Sequence, residues 1–136
     1  MLGVLSAYVN RAASPEMFRV LGELELSFTQ MKALFVLAER HEMSVKDIAG
    51  HLSLSLPAMS RSVDGLVQRG YVARRECASD RRSRLVALLP PGRDVLRRIN
   101  AAREAALVEF AAELSDAERT ALHGALLPIA QRISSP

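Results

Sequence analysis

Three residues, Ser53-Leu54-Ser55, interrupt a run of helical apolar spacing, and what flanks them narrows the fold sharply. Before them, Ser44-Val45-Lys46-Asp47 has the form of a capping box and opens a short helix carrying Val45, Ile48, Ala49 and Leu52. After them, Pro57 stands where a proline is tolerated, in a first helical turn, and Met59, Val63, Leu66 and Val67 fall on one side of a second helix. Gly70 closes that helix as a C-cap. The period then switches from helical to alternating: Tyr71 to Glu76 and Arg84 to Leu88 are short strand candidates around a polar tip. Pro90-Pro91-Gly92 stops the second of them. Two helices joined by a three-residue turn and followed by a hairpin predict a winged helix-turn-helix.

The rest of the chain is helical. Leu2, Leu5, Tyr8 and Val9 keep helical spacing, and Ser14-Pro15-Glu16 reads as a cap and restart leading into Phe18, Leu21 and Leu24. Ser27 to Gln30 forms another capping box, ahead of Met31, Leu34, Phe35, Leu37 and Ala38. A long helix carries Val95, Leu96, Ile99, Ala102, Ala106, Leu107, Phe110 and Leu114 in line. Ser115 to Glu118 then opens a last helix with Leu122, Leu126, Ile129 and Ile133. Phe18, Phe28, Met31, Phe35 and Phe110 are expected in the core, and otherwise as walls of a ligand pocket. The apolar faces of the first and last helices exceed what one small core can cover, so they are expected to pack against a second copy. The predicted fold is mainly α, a single domain over 1–136. A winged helix-turn-helix occupies about 27–90, and N- and C-terminal helices at about 1–24 and 92–136 form a dimerisation region.

Net charge is only +3, but its distribution is uneven. Arg61 to Arg84 holds seven arginines against Asp64, Glu76 and Asp80, a local surplus of four, whereas Glu104 to Pro136 holds five acids against Arg119 and Arg132. This pattern points to a polyanion site on one face. Arginine's planar fork suits bidentate contacts to phosphate or guanine edges. On the second helix of the pair, Pro57, Ala58, Ser60 and Arg61 must lie outward or to the flanks if Met59 and Val63 point inward. These are the major-groove candidates: small residues permit close approach, and Arg61 can reach guanine O6 and N7. Ser44, Lys46, Ser53 and Ser55 are phosphate candidates, which position a protein but carry no sequence information.

The strings LSFTQMKALFVLAE, SVKDIAGHL, SLPAMSRSVDGLVQRGYVARR, SDRR and PPGRDVL, from about Glu25 to Leu96, resemble the MarR family of bacterial transcription regulators. The tip CASDRR is similar to that of SlyA-like members. The resemblance implies a homodimer on double-stranded DNA with an inverted-repeat operator, and a small aromatic or lipophilic effector. It implies that Asp80 braces Arg82, which enters the minor groove with Arg81 beside it, and that Pro57 and Arg61 contact bases. A hairpin tip in the minor groove gains from cationic side chains, and a neighbouring carboxylate reduces the entropy lost in ordering them. Arg74, Arg75 and Arg84 are candidates for phosphates or for holding the wing. Where the family has Leu-Thr before the long helix, this chain has Leu89-Pro90, a rigid stop in place of a hydroxyl cap.

The bland alternatives are definite. The hairpin arginines can serve as a solvated tip that keeps strand edges soluble. Cys77, the only cysteine, reads as a small strand residue before it reads as a redox sensor. A lone cysteine excludes an internal disulfide and suggests a reducing cytoplasm. No apolar run approaches the ~18 residues of a membrane span, and the start lacks a basic signal-type region. His41, His51 and His123 lack metal-ligand spacing, no cofactor is called for, and no nucleophile–base pair or phosphate loop suggests an enzyme. The rival function is a winged-helix module that binds a protein or a ligand and no DNA.

Overall fold

The computed structural model describes residues 2–76 and 84–134. In chain order the elements are α1 (Leu2–Glu23), α2 (Phe28–Arg40), β1 (Glu42–Ser44), α3 (Val45–His51), α4 (Leu56–Gln68), β2 (Val72–Glu76), β3 (Arg84–Leu88), α5 (Pro90–Glu113) and α6 (Asp116–Ser134). The fold is mainly helical, with one antiparallel sheet in the order β1-β3-β2. Two compact units are present, Glu16–Ala101 and the pair of segments Met1–Pro15 and Ala102–Pro136.

Local signals build the helix pair in the first unit. The Ser44 hydroxyl oxygen accepts from the Asp47 N–H at 3.1 Å and caps α3. Ser53 takes a left-handed φ of 54°, and the Leu54 N–H donates to the Ala49 carbonyl at 2.9 Å, closing α3. Ser55 then caps α4, whose first turn holds Pro57. At the far end of α4, Gly70 adopts φ 70°. Its N–H reaches the Val67 carbonyl at 2.9 Å while the Tyr71 N–H reaches that of Leu66 at 3.0 Å. This is a Schellman ending, in which glycine takes a conformation that costs a residue with a Cβ.

The core of this unit joins Leu34 and Leu37 of α2, Ile48 of α3, Met59, Val63 and Leu66 of α4, Val72 and Val86 of the sheet, and Ile99 of α5. Helices α2 and α4 approach closely at Gly65, where an added Cβ would lie 2.6 Å from the Gln30 side-chain nitrogen. Gln30 completes the α2 capping box by accepting from the Ser27 N–H at 2.9 Å, and donates to the Ser62 carbonyl of α4 at 3.4 Å. Arg98 of α5 pairs with Glu23 at the end of α1 at 2.7 Å.

Four features differ from what the sequence predicts. Helix α1 runs through Pro15 without a restart. Proline cannot donate to the Arg11 carbonyl, but the Ser14 hydroxyl donates to the neighbouring Asn10 carbonyl. The sheet has a third strand, β1, paired with β3 at Glu42↔Ala87, Met43↔Val86 and Ser44↔Leu85. Pro90 and Pro91 form the first turn of α5 as well as ending β3, since first-turn N–H groups have no helical acceptor to lose. Phe18 and Phe28 are 61% and 50% exposed, not core. Phe18 flanks the buried stripe of Val20 and Leu21, and the Phe28 ring lies under the Lys32 ammonium at 5.0 Å. Met31 is buried and Phe35 half-buried against the core.

In the second unit, Ser115 and Glu118 form a complete capping box. The Ser115 N–H donates to the Glu118 carboxylate at 2.8 Å, and the Glu118 N–H donates to the Ser115 hydroxyl oxygen at 3.3 Å. The Tyr8 hydroxyl donates to Glu113 at 3.3 Å, and its ring centroid is 5.4 Å from that of Phe110. Partial burial, then the Glu113 carboxylate, push the Tyr8 phenol above its usual range. The predicted apolar stripe is only partly covered within one chain: Leu107, Leu126, Ile129 and Ile133 are exposed. An apolar groove of about 470 Å³ runs between α5 and α6, lined by Leu114, Leu122, Leu126 and Leu127 among others.

Candidate nucleic-acid interface

Helix α4 presents two distinct surfaces. Met59, Val63 and Leu66 are wholly buried. Pro57 and Arg61, one turn apart, are exposed, with Ala58 and Ser60 half-buried on the flanks. The register inferred from spacing therefore holds: Pro57 and Arg61 face solvent on the N-terminal half of the helix, and Ala58 and Ser60 lie to its flanks. No side chain among the described residues bonds the Arg61 guanidinium. Ser53 and Ser55 are exposed at the turn that leads into this end, and Lys46 is exposed on the first turn of α3. The Ser55 hydroxyl oxygen accepts from the Ala58 N–H at 3.4 Å, which leaves its proton to donate elsewhere. Ser44 differs, because its hydroxyl donates to its own cap partner Asp47 at 2.6 Å.

Two exposed apolar side chains at the same end escaped the sequence reading. Leu54 in the turn and Leu56 at the start of α4 are 38% and 51% exposed. Apolar groups at a major-groove surface can meet thymine methyls. Their signal in the sequence was an apolar residue inside a polar break, which helical spacing gave no reason to expect outside.

The sheet sorts the wing-root arginines by face. Alternation along the strands puts Arg74 and Arg84 on the side of Val72, Val86 and Leu88, which pack into the core. Arg74 reaches α4 and pairs with Asp64 at 2.5 Å. Asp64 thus pairs with Arg74 rather than with Arg61. Arg75 points to the opposite face and lies 3.5 Å from Glu42 of β1. Arg69 caps the end of α4 and donates to the Glu25 carbonyl at 3.1 Å, a structural tie. The wing-tip residues Asp80, Arg81 and Arg82, with Cys77, lie outside the described residues.

The family model of the MarR family matches residues 26–83, the span from the start of α2 to the wing. Over 93 residues the chain is 32% identical to a putative transcriptional regulatory protein for the hcr operon of Thauera aromatica, covering 68% of this chain and 56% of that one. The chain spans about half the length of the curated relatives it matches. Among solved structures it is similar to the apo form of wild-type MarR from E. coli, with a TM-score of 0.66 and 25% identity, covering 95% of this chain and 96% of that one. It also shares the fold of a point mutant of S. aureus MepR bound to an oligodeoxyribonucleotide, with a TM-score of 0.74 and 17% identity, covering 98% of this chain and 99% of that one. The match from α2 into the wing, and the fold shared with E. coli MarR over nearly the whole chain, are those of the MarR family.

Proposed function

We propose that this chain is a DNA-binding transcription regulator that reads an inverted-repeat operator as a homodimer. The observation that carries the reading is the exposed Pro57–Arg61 stripe on α4, backed by a wholly buried Met59, Val63 and Leu66 and bordered by Ser53, Ser55 and Lys46. Such a helix offers its N-terminal half to a major groove while its inner face holds the orientation. Arg61, with no competing partner among the described residues, supplies a bidentate donor to guanine, and Ala58 and Ser60 keep the approach close. Ser53, Ser55, Lys46 and Arg84 supply phosphate contacts, with Arg74 as the wing brace. Arg82, with Arg81, enters the minor groove with Asp80 as its support. The DNA-bound MepR relative of the same fold supports the choice of ligand.

Dimerisation uses the terminal helices. The exposed Leu107, Val108, Leu126, Ile129 and Ile133 on α5 and α6 are the surface such an interface would cover. Repression, relieved by a small aromatic or lipophilic effector, is the mode the family resemblance favours, and the setting is cytoplasmic. No helix of the described residues is long and apolar enough to cross a membrane. The regulator acts by occupying DNA and not by catalysis.

The test is a titration of duplex DNA at two salt concentrations. Affinity should fall steeply with salt, because neutralised phosphates release counterions. Arg61→Ala and Arg82→Ala should each weaken binding without unfolding the protein. Salt-insensitive or unaltered binding in both variants would overturn the assignment.

A further inference from the structure

Beside the face of the sheet that carries Glu42, Arg75 and Ala87, the chain forms a small recess. It is lined by Leu37 and His41 at the end of α2, Glu42 of β1, Arg75 of β2, Ala87 and Leu88 of β3, and Arg93 near the start of α5, and encloses about 150 Å³. We infer that this recess is a binding site for a phosphate-class oxyanion.

Charge supports an anion. Among the described residues that line it, two guanidiniums accompany one carboxylate, a surplus of one positive charge. The Arg75–Glu42 pair is loose at 3.5 Å, beyond the ~2.7–2.9 Å of a strong charge-assisted bond. Arg93 gives one N–H to the Leu88 carbonyl at 3.4 Å, and among the described residues its other donors are unengaged. An incoming oxyanion would take these spare donors from two sides. The arginines stand on different elements, β2 and α5, so their spacing is set by the scaffold and not by one flexible loop. The geometry also selects a polar ligand. Leu37, Ala87 and Leu88 contribute its apolar lining, and His41, Glu42, Arg75 and Arg93 bring polar groups to it. The volume admits a tetrahedral oxyanion with a few waters at about 30 Å³ each. His41, on the rim, has φ 66° and ψ −62°, a conformation that a residue with a Cβ rarely adopts and that tends to persist at functional sites.

The phosphate could be free in solution or part of a DNA backbone, and a single experiment separates them. In the first arm, inorganic phosphate is titrated into the folded chain with amide and imidazole resonances followed by NMR, against sodium chloride of equal ionic strength. Saturable shifts at His41, Glu42 and Ala87 are expected with phosphate alone. Arg93→Gln and Arg75→Gln should each weaken them at least tenfold. Two variants are used because Arg93 also ties to Leu88, and melting curves check that both are folded. In the second arm, without phosphate, DNA affinity of Arg93→Gln is measured against salt. An unchanged affinity and slope assigns the site to free phosphate, whereas a lower affinity with a slope reduced by about one assigns it to the DNA backbone. Shifts that persist in both variants overturn the proposal. So does wild-type protein that shows no saturable shift while Arg93→Gln binds DNA unchanged. The first arm stands whether or not the chain regulates transcription.

Discussion

The Arg74 guanidinium lies 2.5 Å from the Asp64 carboxylate, so the root of the wing is ion-paired to the helix that carries Arg61. The pair offsets a carboxylate that would otherwise repel phosphate, and it joins β2 to α4. Partly exposed pairs are worth about 0.2–1 kcal/mol. A double-mutant cycle of Asp64→Asn and Arg74→Gln should return a coupling in that range from denaturant unfolding. If Arg74 is a brace, the salt dependence of DNA binding should not change in Arg74→Gln. A slope lower by about one would instead make Arg74 a direct phosphate contact.

Gly92 and Gly50 should respond to alanine in opposite directions. A Cβ at Gly92 would lie 2.3 Å from the Tyr71 carbonyl oxygen, a backbone atom that cannot move alone. That carbonyl also accepts from the Leu89 N–H at 2.9 Å, so α5 would be pushed off the β2 entry. Gly92→Ala should cost about 1–3 kcal/mol, as overpacking does. At Gly50 of α3 nothing lies within 4 Å, so Gly50→Ala should gain about 0.4–1 kcal/mol by restricting the unfolded chain. Thermal melts of both variants check the contrast; equal losses would contradict the close approach at Gly92.

The hydrogen bonds from the Ser115 hydroxyl and N–H hold the Glu118 carboxyl below its ordinary value. A depressed acid pKa contributes stability that is complete above the unfolded value and is lost as pH falls through the folded one. Acid should therefore weaken the start of α6, with no effect near neutrality. Ser115→Ala should return the Glu118 carboxyl toward its ordinary value in a ¹³C-detected titration. An unmoved titration would mean that the cap does not set it.

Val108 and Ile133 are 68% and 75% exposed. If a second copy covers them, Val108→Asp with Ile133→Asp should shift sedimentation from dimer to monomer while helical content is retained, and operator affinity should fall with it. A dimer unaffected by both charges would place the interface elsewhere.

What was legible in the sequence was local. Ser27, Ser44 and Ser115 announce their helices because a cap needs only three or four consecutive residues, whereas the cap at Ser55 was read only as part of a break. The register of α4 followed from the spacing of Met59, Val63 and Leu66, and with it the outward placement of Arg61. Strand β1 was not legible: it has three residues, one of them the α3 cap, and exists only through pairing with β3 more than forty positions later. The partner of Asp64 was hidden for the same reason, since choosing Arg74 over Arg61 requires knowing how β2 crosses α4. Helix α1 passes Pro15 because a proline inside a long helix removes one bond and need not end it. Phe18 and Phe28 misled because aromatic residues at helical spacing suggest a core, yet each lies beside the buried stripe and not on it.

The most direct measurement is selection of DNA fragments bound by the wild-type chain from a random duplex pool, repeated with Arg61→Ala. Enriched fragments should carry two inverted half-sites about 10 base pairs apart, and Arg61→Ala should relax the preference at one symmetric position of each half-site. No enrichment, or enrichment of sites without two-fold symmetry that Arg61→Ala leaves unchanged, would contradict the account.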